Sequence, residues 1–310
     1  MPVQLQGSRG VKQGDPISAL LFIAVMEVCF RNLKKRWNGF NKRRRGCYYG
    51  MVVDKPEDPL TNLRFADDVV LVAVNKSDVS KMLADLKKEA TKYGLVVHMG
   101  KTKILPSASL NLPASINIEG ADVDVVPPAK YEKYLGRHLC MGSYHASEFS
   151  NRMNGAWRCF AKFRDVLCSR SYPLRSRLQL FDAVVTPTAL YGCECWTLNV
   201  HSRRMLRTTW RKMARKIFRT PRGDEETWVD YVRRATAHAE ARCADWGFLN
   251  WAITQPKRKE NFAARVANDN ADKWNYRLLH WRPWHRCSAS RRPGRPRLRW
   301  RDAVKHVFDM

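Results

Sequence analysis

Two adjacent carboxylates, Asp67-Asp68, stand between the runs Leu63-Arg64-Phe65-Ala66 and Val69-Val70-Leu71-Val72-Ala73-Val74. These runs predict strand, tight turn, strand, with the acids at the tip of a hairpin. Carboxylates on a rigid element are hard oxygen donors of the kind that hold divalent cations. Ions held close together serve nucleotidyl transfer, one lowering the pKa of an attacking 3′-hydroxyl and the other neutralising leaving pyrophosphate. An Asp-Asp pair is also a common turn dipeptide, so the surrounding elements must decide between the two readings.

Upstream, Asp15-Pro16 is a helix start, with Asp at the N-cap and Pro in the first turn, and Leu20, Leu21, Ala24 and Val28 continue as the expected buried face. The basic run Lys34, Lys35, Arg36, Lys42, Arg43, Arg44 and Arg45 follows, read either as a solvated loop or as a phosphate contact. Downstream of the acids, a helix opens at Ser77, with Val79, Leu83, Leu86, Ala90 and Tyr93 forming one stripe that ends at Gly94. Residues 95–139 read as short strands and loops, with Tyr134-Leu135-Gly136 as a tight bend.

The period then becomes helical, and this change predicts a domain boundary near residue 140. Phe149, Met153, Trp157, Phe160 and Leu167 share a face, followed by Leu174, Leu178 and Phe181 on a second helix. A third helix turns Leu206, Trp210, Met213 and Ile217 inward beneath Arg203, Arg204, Arg207, Arg211, Lys212, Arg215 and Lys216. A helix so cationic repels itself unless it lies along phosphates. From about residue 285 the chain is too rich in Arg, Pro and Gly for a core element.

Composition agrees with a polyanion partner: 56 Lys and Arg against 29 Asp and Glu give a net charge of +27. The 310 residues and 45% hydrophobic content are enough for two ordinary domains rather than a disordered chain. The nine cysteines show no metal-ligand spacing and read as reduced intracellular thiols. The apolar stretch Ala19 to Met26 is stopped by Glu27, short of the roughly 20 residues a bilayer span needs, so no membrane association is expected. The opening Met1-Pro2-Val3-Gln4-Leu5-Gln6-Gly7 alternates like half a strand and reads as beginning inside a fold.

In their order and separation, Arg9-Gly10-Val11-Lys12-Gln13-Gly14-Asp15-Pro16-Ile17-Ser18 and Phe65-Ala66-Asp67-Asp68 resemble motifs of the reverse transcriptases of LINE-type (non-LTR) retrotransposons. Gly94-Leu95-Val96-Val97-His98-Met99-Gly100-Lys101 resembles the family's lysine-bearing loop, and Lys133-Tyr134-Leu135-Gly136 its primer-grip turn. The likeness extends through Pro187 to Trp196 and Arg203 to Leu206, similar to the family's thumb and following segment.

The resemblance implies an RNA-directed DNA polymerase using Mg²⁺ (or Mn²⁺), deoxynucleoside triphosphates, an RNA template and a DNA primer or target, in an intracellular, nuclear or nucleic-acid-associated setting. It implies Asp67 as principal metal ligand, Asp68 in support, and Lys101 as countercharge or proton donor to pyrophosphate. Gln13, Gly14, Pro16, Phe65 and Ala66 would line the nucleotide pocket, and Tyr134, Leu135 and Gly136 would hold the primer end. Arg43, Arg44, Arg207, Arg211, Arg295 and Arg297 are the expected nucleic-acid contacts. Gly294-Arg295-Pro296, flanked by arginines, also resembles an AT-hook, with a flexible basic tail as the plainer reading.

Departures from the family pattern are Ala19, where a second Pro is usual, and His98, where Asn is usual. The family's preceding strand, with its own metal-binding Asp, has no counterpart in residues 1–14, so polymerisation by this chain alone is not expected. The alternative is a non-catalytic nucleic-acid-binding relic. The fold class expected is α+β: an incomplete right-hand palm, an antiparallel sheet with packed helices, over 1–140. A helical thumb over 141–225 and a basic Trp-rich region over 226–310 would follow.

Overall fold

The computed structural model describes residues 10–12, 14–43, 49–55, 57–107, 112–142, 146–281 and 300–308, without the side chains of 39–43 and 308. Two compact units result. The first takes in the described residues up to Ile104, Leu112–Val125 and residues 280–281, and the second residues 105–107, Val126–Leu279 and residues 300–308.

The first unit opens with α1 (Pro16–Arg43), capped as its sequence predicts: Asp15 Oδ1 accepts from the Ile17 amide at 3.0 Å. The hairpin β1 (Asn62–Phe65) and β2 (Asp68–Leu71) follows, then α2 (Lys76–Thr91), whose first turn is capped by Asn75 accepting from the Asp78 amide. Met26, Cys29, Phe30, Leu33 and Trp37 of α1 pack with Met82 and Leu86 of α2, and Val69, Leu71 and Ala73 join them from the hairpin. A second small core forms where β3 (Lys103–Ile104), β4 (Ser115–Ile118) and β5 (Ala121–Val125) put Ile116, Ile118, Val123 and Val125 against Leu83.

Two expectations change here. The buried face of α1 is the Met26 to Trp37 stripe, whereas Leu20, Leu21, Ala24 and Val28 are exposed. This helix is apolar nearly all round, so periodicity alone could not choose its inner side. Its segment Pro16–Asn38 is long and apolar enough to cross a membrane by length and composition, a test that core helices of soluble proteins also pass. Lys34 and Arg36 within it are ion-paired with Asp58 and Asp85. The sheet is also not one antiparallel layer. The described strands make three small sheets, and β3 lies parallel to β5.

The second unit begins with the hairpin β6 (Glu132–Tyr134) and β7 (Arg137–Leu139), followed by α3 (Ala146–Lys162), α4 (Arg164–Leu167), α5 (Leu174–Ala189), α6 (Val200–Phe218), α7 (Trp228–Asp245), α8 (Trp251–Ala267), α9 (Trp274–His280) and α10 (Lys305–Phe308). Phe149, Met153, Phe160, Leu178, Phe181, Leu206, Trp210, Met213 and Ile217 form its core, matching the predicted stripes. Trp251 is fully buried, stacked on Phe181 at 5.9 Å and bonded through Nε1 to Thr186.

The compact units therefore change over at Val125–Val126, upstream of the expected boundary near 140. The β6–β7 hairpin belongs to the helical unit because its loop and strands bond to α3. No break separates 141–225 from 226–310 either: Ala239, Cys243 and Trp251 lie in the same core as α5 and α6.

Candidate functional site

Phe65, Ala66, Asp67 and Asp68 are brought together on one hairpin tip. Phe65 pairs with Asp68 across the strands, so the turn consists of Ala66 and Asp67 alone. Asp68 is thus the first residue of β2 rather than a turn residue, and it shares a sheet face with Phe65. Ala66 takes φ +52°, a left-handed conformation more usual for Gly or Asn. Both carboxylates are exposed, and neither makes a side-chain hydrogen bond or ion pair with a described residue.

The hairpin is fixed from its other side by Arg64, which sequence reading passed over. Its guanidinium donates to Glu27 at 2.8 Å and to the Met26 carbonyl, and lies 4.8 Å from the Phe30 ring centroid. Alternation along β1 places this arginine on α1, but the partners lie 37 and 38 residues away, and no short-range signal announces them.

Gly14 has φ +92°, a value that favours glycine, with nothing within 4 Å of a Cβ built there. It lies with Pro16 at the start of α1, where backbone is accessible to a ligand. Lys101 is exposed in the short 3₁₀ turn Met99–Lys101, whose amides at Lys101 and Thr102 return to the His98 carbonyl. His98 thus ties down this loop through its backbone. Gln13, Arg44, Arg295 and Arg297, and the side chain of Arg43, lie outside the described residues.

Tyr134, Leu135 and Gly136 fall in the second unit. Leu135 and Gly136 form the two-residue loop of β6–β7, at φ +48° and +72°, the double left-handed turn that hairpins favour. The loop is tied to the helices beneath. Tyr191 donates its hydroxyl to the Leu135 carbonyl at 3.0 Å, and Arg152 donates to the Gly136 carbonyl. Arg152 also lies over the Tyr191 ring and bonds Glu148, which is 1% exposed and accepts from the His138 amide at 2.7 Å. Burial pushes the His138 imidazole below its ordinary pKa, against the opposing pull of Glu148.

Among the expected nucleic-acid contacts, Arg207 is exposed on α6. Arg211 is not free: Nε and Nη2 each donate to Glu240 of α7 at 2.8 Å, a bidentate pair. Arg215 likewise bonds Thr236. Part of the charge on α6 therefore joins two helices rather than facing solvent.

The chemistry of the doublet suits a hard divalent cation, but among the described residues no group of three or more His, Cys, Asp or Glu is placed to hold one. Two carboxylates with substrate phosphates can hold Mg²⁺, whereas a complete two-ion site asks for more donors.

A family model described as reverse transcriptase (RNA-dependent DNA polymerase) matches residues 3–139. A transposon-derived protein of Caenorhabditis elegans is 31% identical over 255 residues, covering 79% of this chain and 84% of that protein. The transposon TX1 149 kDa protein of Xenopus laevis is 27% identical over 169 residues, covering 50% of this chain and 11% of that protein.

Proposed function

Because the chain belongs to the reverse transcriptase family of non-LTR retrotransposons, we propose that it carries the palm doublet and the thumb of an RNA-directed DNA polymerase. The observation that carries this reading is the exposed Asp67-Asp68 pair, on a two-residue turn whose strand is clamped to α1 by Arg64. Rigid support with free carboxylate oxygens is what a metal-ready tip requires.

In this reading Asp67 is the principal ligand and Asp68 its support. Bound Mg²⁺ would supply activation of the primer hydroxyl and neutralisation of pyrophosphate. Gln13, Gly14, Pro16, Phe65 and Ala66 line the nucleotide pocket, with Gly14, which has no Cβ, leaving its backbone open to approach. Lys101, on its short 3₁₀ turn, meets the triphosphate as countercharge or proton donor. The Tyr134-Leu135-Gly136 turn holds the primer end, and Arg207 lies along template–primer phosphate. The setting is intracellular and nucleic-acid-associated.

We infer further that the described chain does not polymerise alone, since only two carboxylates converge at the tip. The test is Mg²⁺-dependent primer extension on an RNA template. The chain would be assayed by itself and as a chimera preceded by a strand that carries a further metal-binding aspartate. Extension by the chimera alone, lost in Asp67→Asn, is expected. Extension by the unmodified chain would overturn the need for a further carboxylate. A chimera that binds template–primer without extending it would favour the second reading, a nucleic-acid-binding protein without chemistry, for which the cationic helical unit speaks.

A further inference from the structure

Composition predicts no core element beyond about residue 285, yet residues 300–308 lie folded on the helical unit. The 3₁₀ turn Arg301–Val304 and α10 both pack on α8, and Val304 is 1% exposed. Trp300 makes the more specific contacts. Its Nε1 donates to the Glu194 carbonyl at 2.6 Å, and the Lys259 ammonium lies 5.1 Å from its ring centroid. The Phe262 ring stands at 89° to the indole, with centroids 6.1 Å apart. The N–H and the ring face are thus each met by a separate group, beside an aromatic wall. At the rim His306 is 3.6 Å from Glu260, an exposed pair that adds little.

The receiving surface is assembled without this segment. Gln255 of α8 donates to the Cys193 carbonyl at 2.9 Å and Lys259 to the Trp196 carbonyl at 3.1 Å, and both side chains are buried. These two bonds hold the turn Cys193–Cys195 against α8 and leave the Glu194 carbonyl between them for another donor. Trp300 brings that donor from 106 residues away. Neither Trp300 nor Val304 belongs to the hydrophobic core of the unit, which closes around Trp251 without them. Two anchors four residues apart, seated in a groove beside a core already closed, describe a bound peptide better than a structural helix.

We propose that the groove between α8 and the turn Cys193–Cys195 is a peptide-recognition site for a Trp-x-x-x-Val segment, and that it accepts residues 300–308 of a second copy of this chain in exchange for its own. The segment seated there defines the chemistry that fits, and a second copy carries the same segment. A stretch as long as residues 282–299, between Trp281 and Trp300, spans at most about 60 Å, which reaches a neighbouring copy. Exchange replaces one set of contacts by an identical set, so it carries little penalty. The chain's own segment competes with one offered from outside, and the apparent affinity falls with the fraction of grooves that stand open. Net charge opposes the pairing, since each copy carries +27, so the anchors must supply it. The inference does not depend on the polymerase reading.

The test separates ligand from groove. Trp300→Ala leaves a groove without its ligand, and Phe262→Ala leaves the ligand with a damaged groove. A labelled peptide of residues 298–310 is titrated onto the full-length chains by fluorescence anisotropy, in about 0.3 M salt, where repulsion between cations is screened within about 6 Å. It is expected to bind the Trp300→Ala chain at least about tenfold more tightly than the unmodified chain. The same peptide carrying Trp300→Ala should bind neither. Sedimentation velocity then reads the exchange. An equimolar mixture of the Trp300→Ala and Phe262→Ala chains should contain a heterodimer that neither forms alone, and excess peptide should dissociate it. Melting temperatures, measured in parallel, should stay within a few degrees of the unmodified chain. Peptide binding that is absent, or equal in the folded Trp300→Ala chain and the unmodified one, would overturn the groove as a recognition site. Peptide binding without a heterodimer would overturn the exchange between copies. If Trp300→Ala prevents folding, residues 300–308 belong to the core and the whole proposal falls.

Discussion

In the first unit the groups with chemical promise, Asp67 and Asp68, stand exposed with no bonded partner among described residues. In the second, Glu148, Arg177 and Lys259 are buried, and each is held by backbone or ionic partners. The contrast separates two uses of charge. A buried charge must be satisfied within the fold or it destabilises it, so it serves as a fastener. A carboxylate left in water keeps its lone pairs for a ligand and contributes little to stability. Stability and chemistry are therefore expected to respond to different residues.

The largest effect should come from Trp251→Ala, which empties a site stacked on Phe181 and cuts the bond to Thr186. A loss of about 4 kcal/mol in urea unfolding is expected, and a loss near zero would show that the helical core is not the fastening region. Next is Lys259, whose Nζ donates to the Trp196 carbonyl at 3.1 Å beneath the Trp300 ring. Burial pushes its pKa down to about 8 from the ordinary 10.5. Between these values the unfolded chain holds more protons than the folded one, so this group makes stability rise with pH across the window, by on the order of 2 kcal/mol. Below about 8 its cost is constant. Unfolding measured against pH should show that rise in the unmodified chain and not in Lys259→Met; an identical slope in both would assign it elsewhere.

Smaller effects belong to the hairpin tip. Ala66→Gly relieves the left-handed backbone against a modest entropic cost and should stabilise by about 0.5 kcal/mol in thermal melts. Destabilisation would mean that the Ala66 methyl has a packing role. Asp67→Asn should change stability by less than about 0.5 kcal/mol while abolishing extension by the chimera. A large stability change would place this acid among the fasteners and sink the contrast.

Much of this was legible from residue order. Asp15-Pro16 announced the α1 start, alternation on either side of the doublet announced the hairpin, and the 3.6-residue stripes announced α3, α5 and α6. The one-residue shift that puts Asp68 into β2 was not legible, because it depends on Ala66 accepting a conformation that alanine seldom takes. The inner face of α1 was hidden by apolar residues on every side. Least visible were the fasteners. Nothing in the sequence singles out Arg177, since backbone carbonyls leave no mark there, and Arg211, expected at phosphate, is paired with Glu240. The tryptophans from residue 228 onward also divide: Trp251 is core and Trp228 is exposed, a distinction their spacing does not encode.

The loop of β6–β7 has one mechanical consequence. Its two carbonyls are strung to Arg152 on α3 and to Tyr191 just past α5, with Arg152 resting on the Tyr191 ring and anchored by Glu148. Such a loop has little compliance of its own. It behaves as a pawl fixed to the helical body, so a rotation of α3 is delivered at Leu135 and Gly136 as displacement of the whole loop rather than absorbed as local bending.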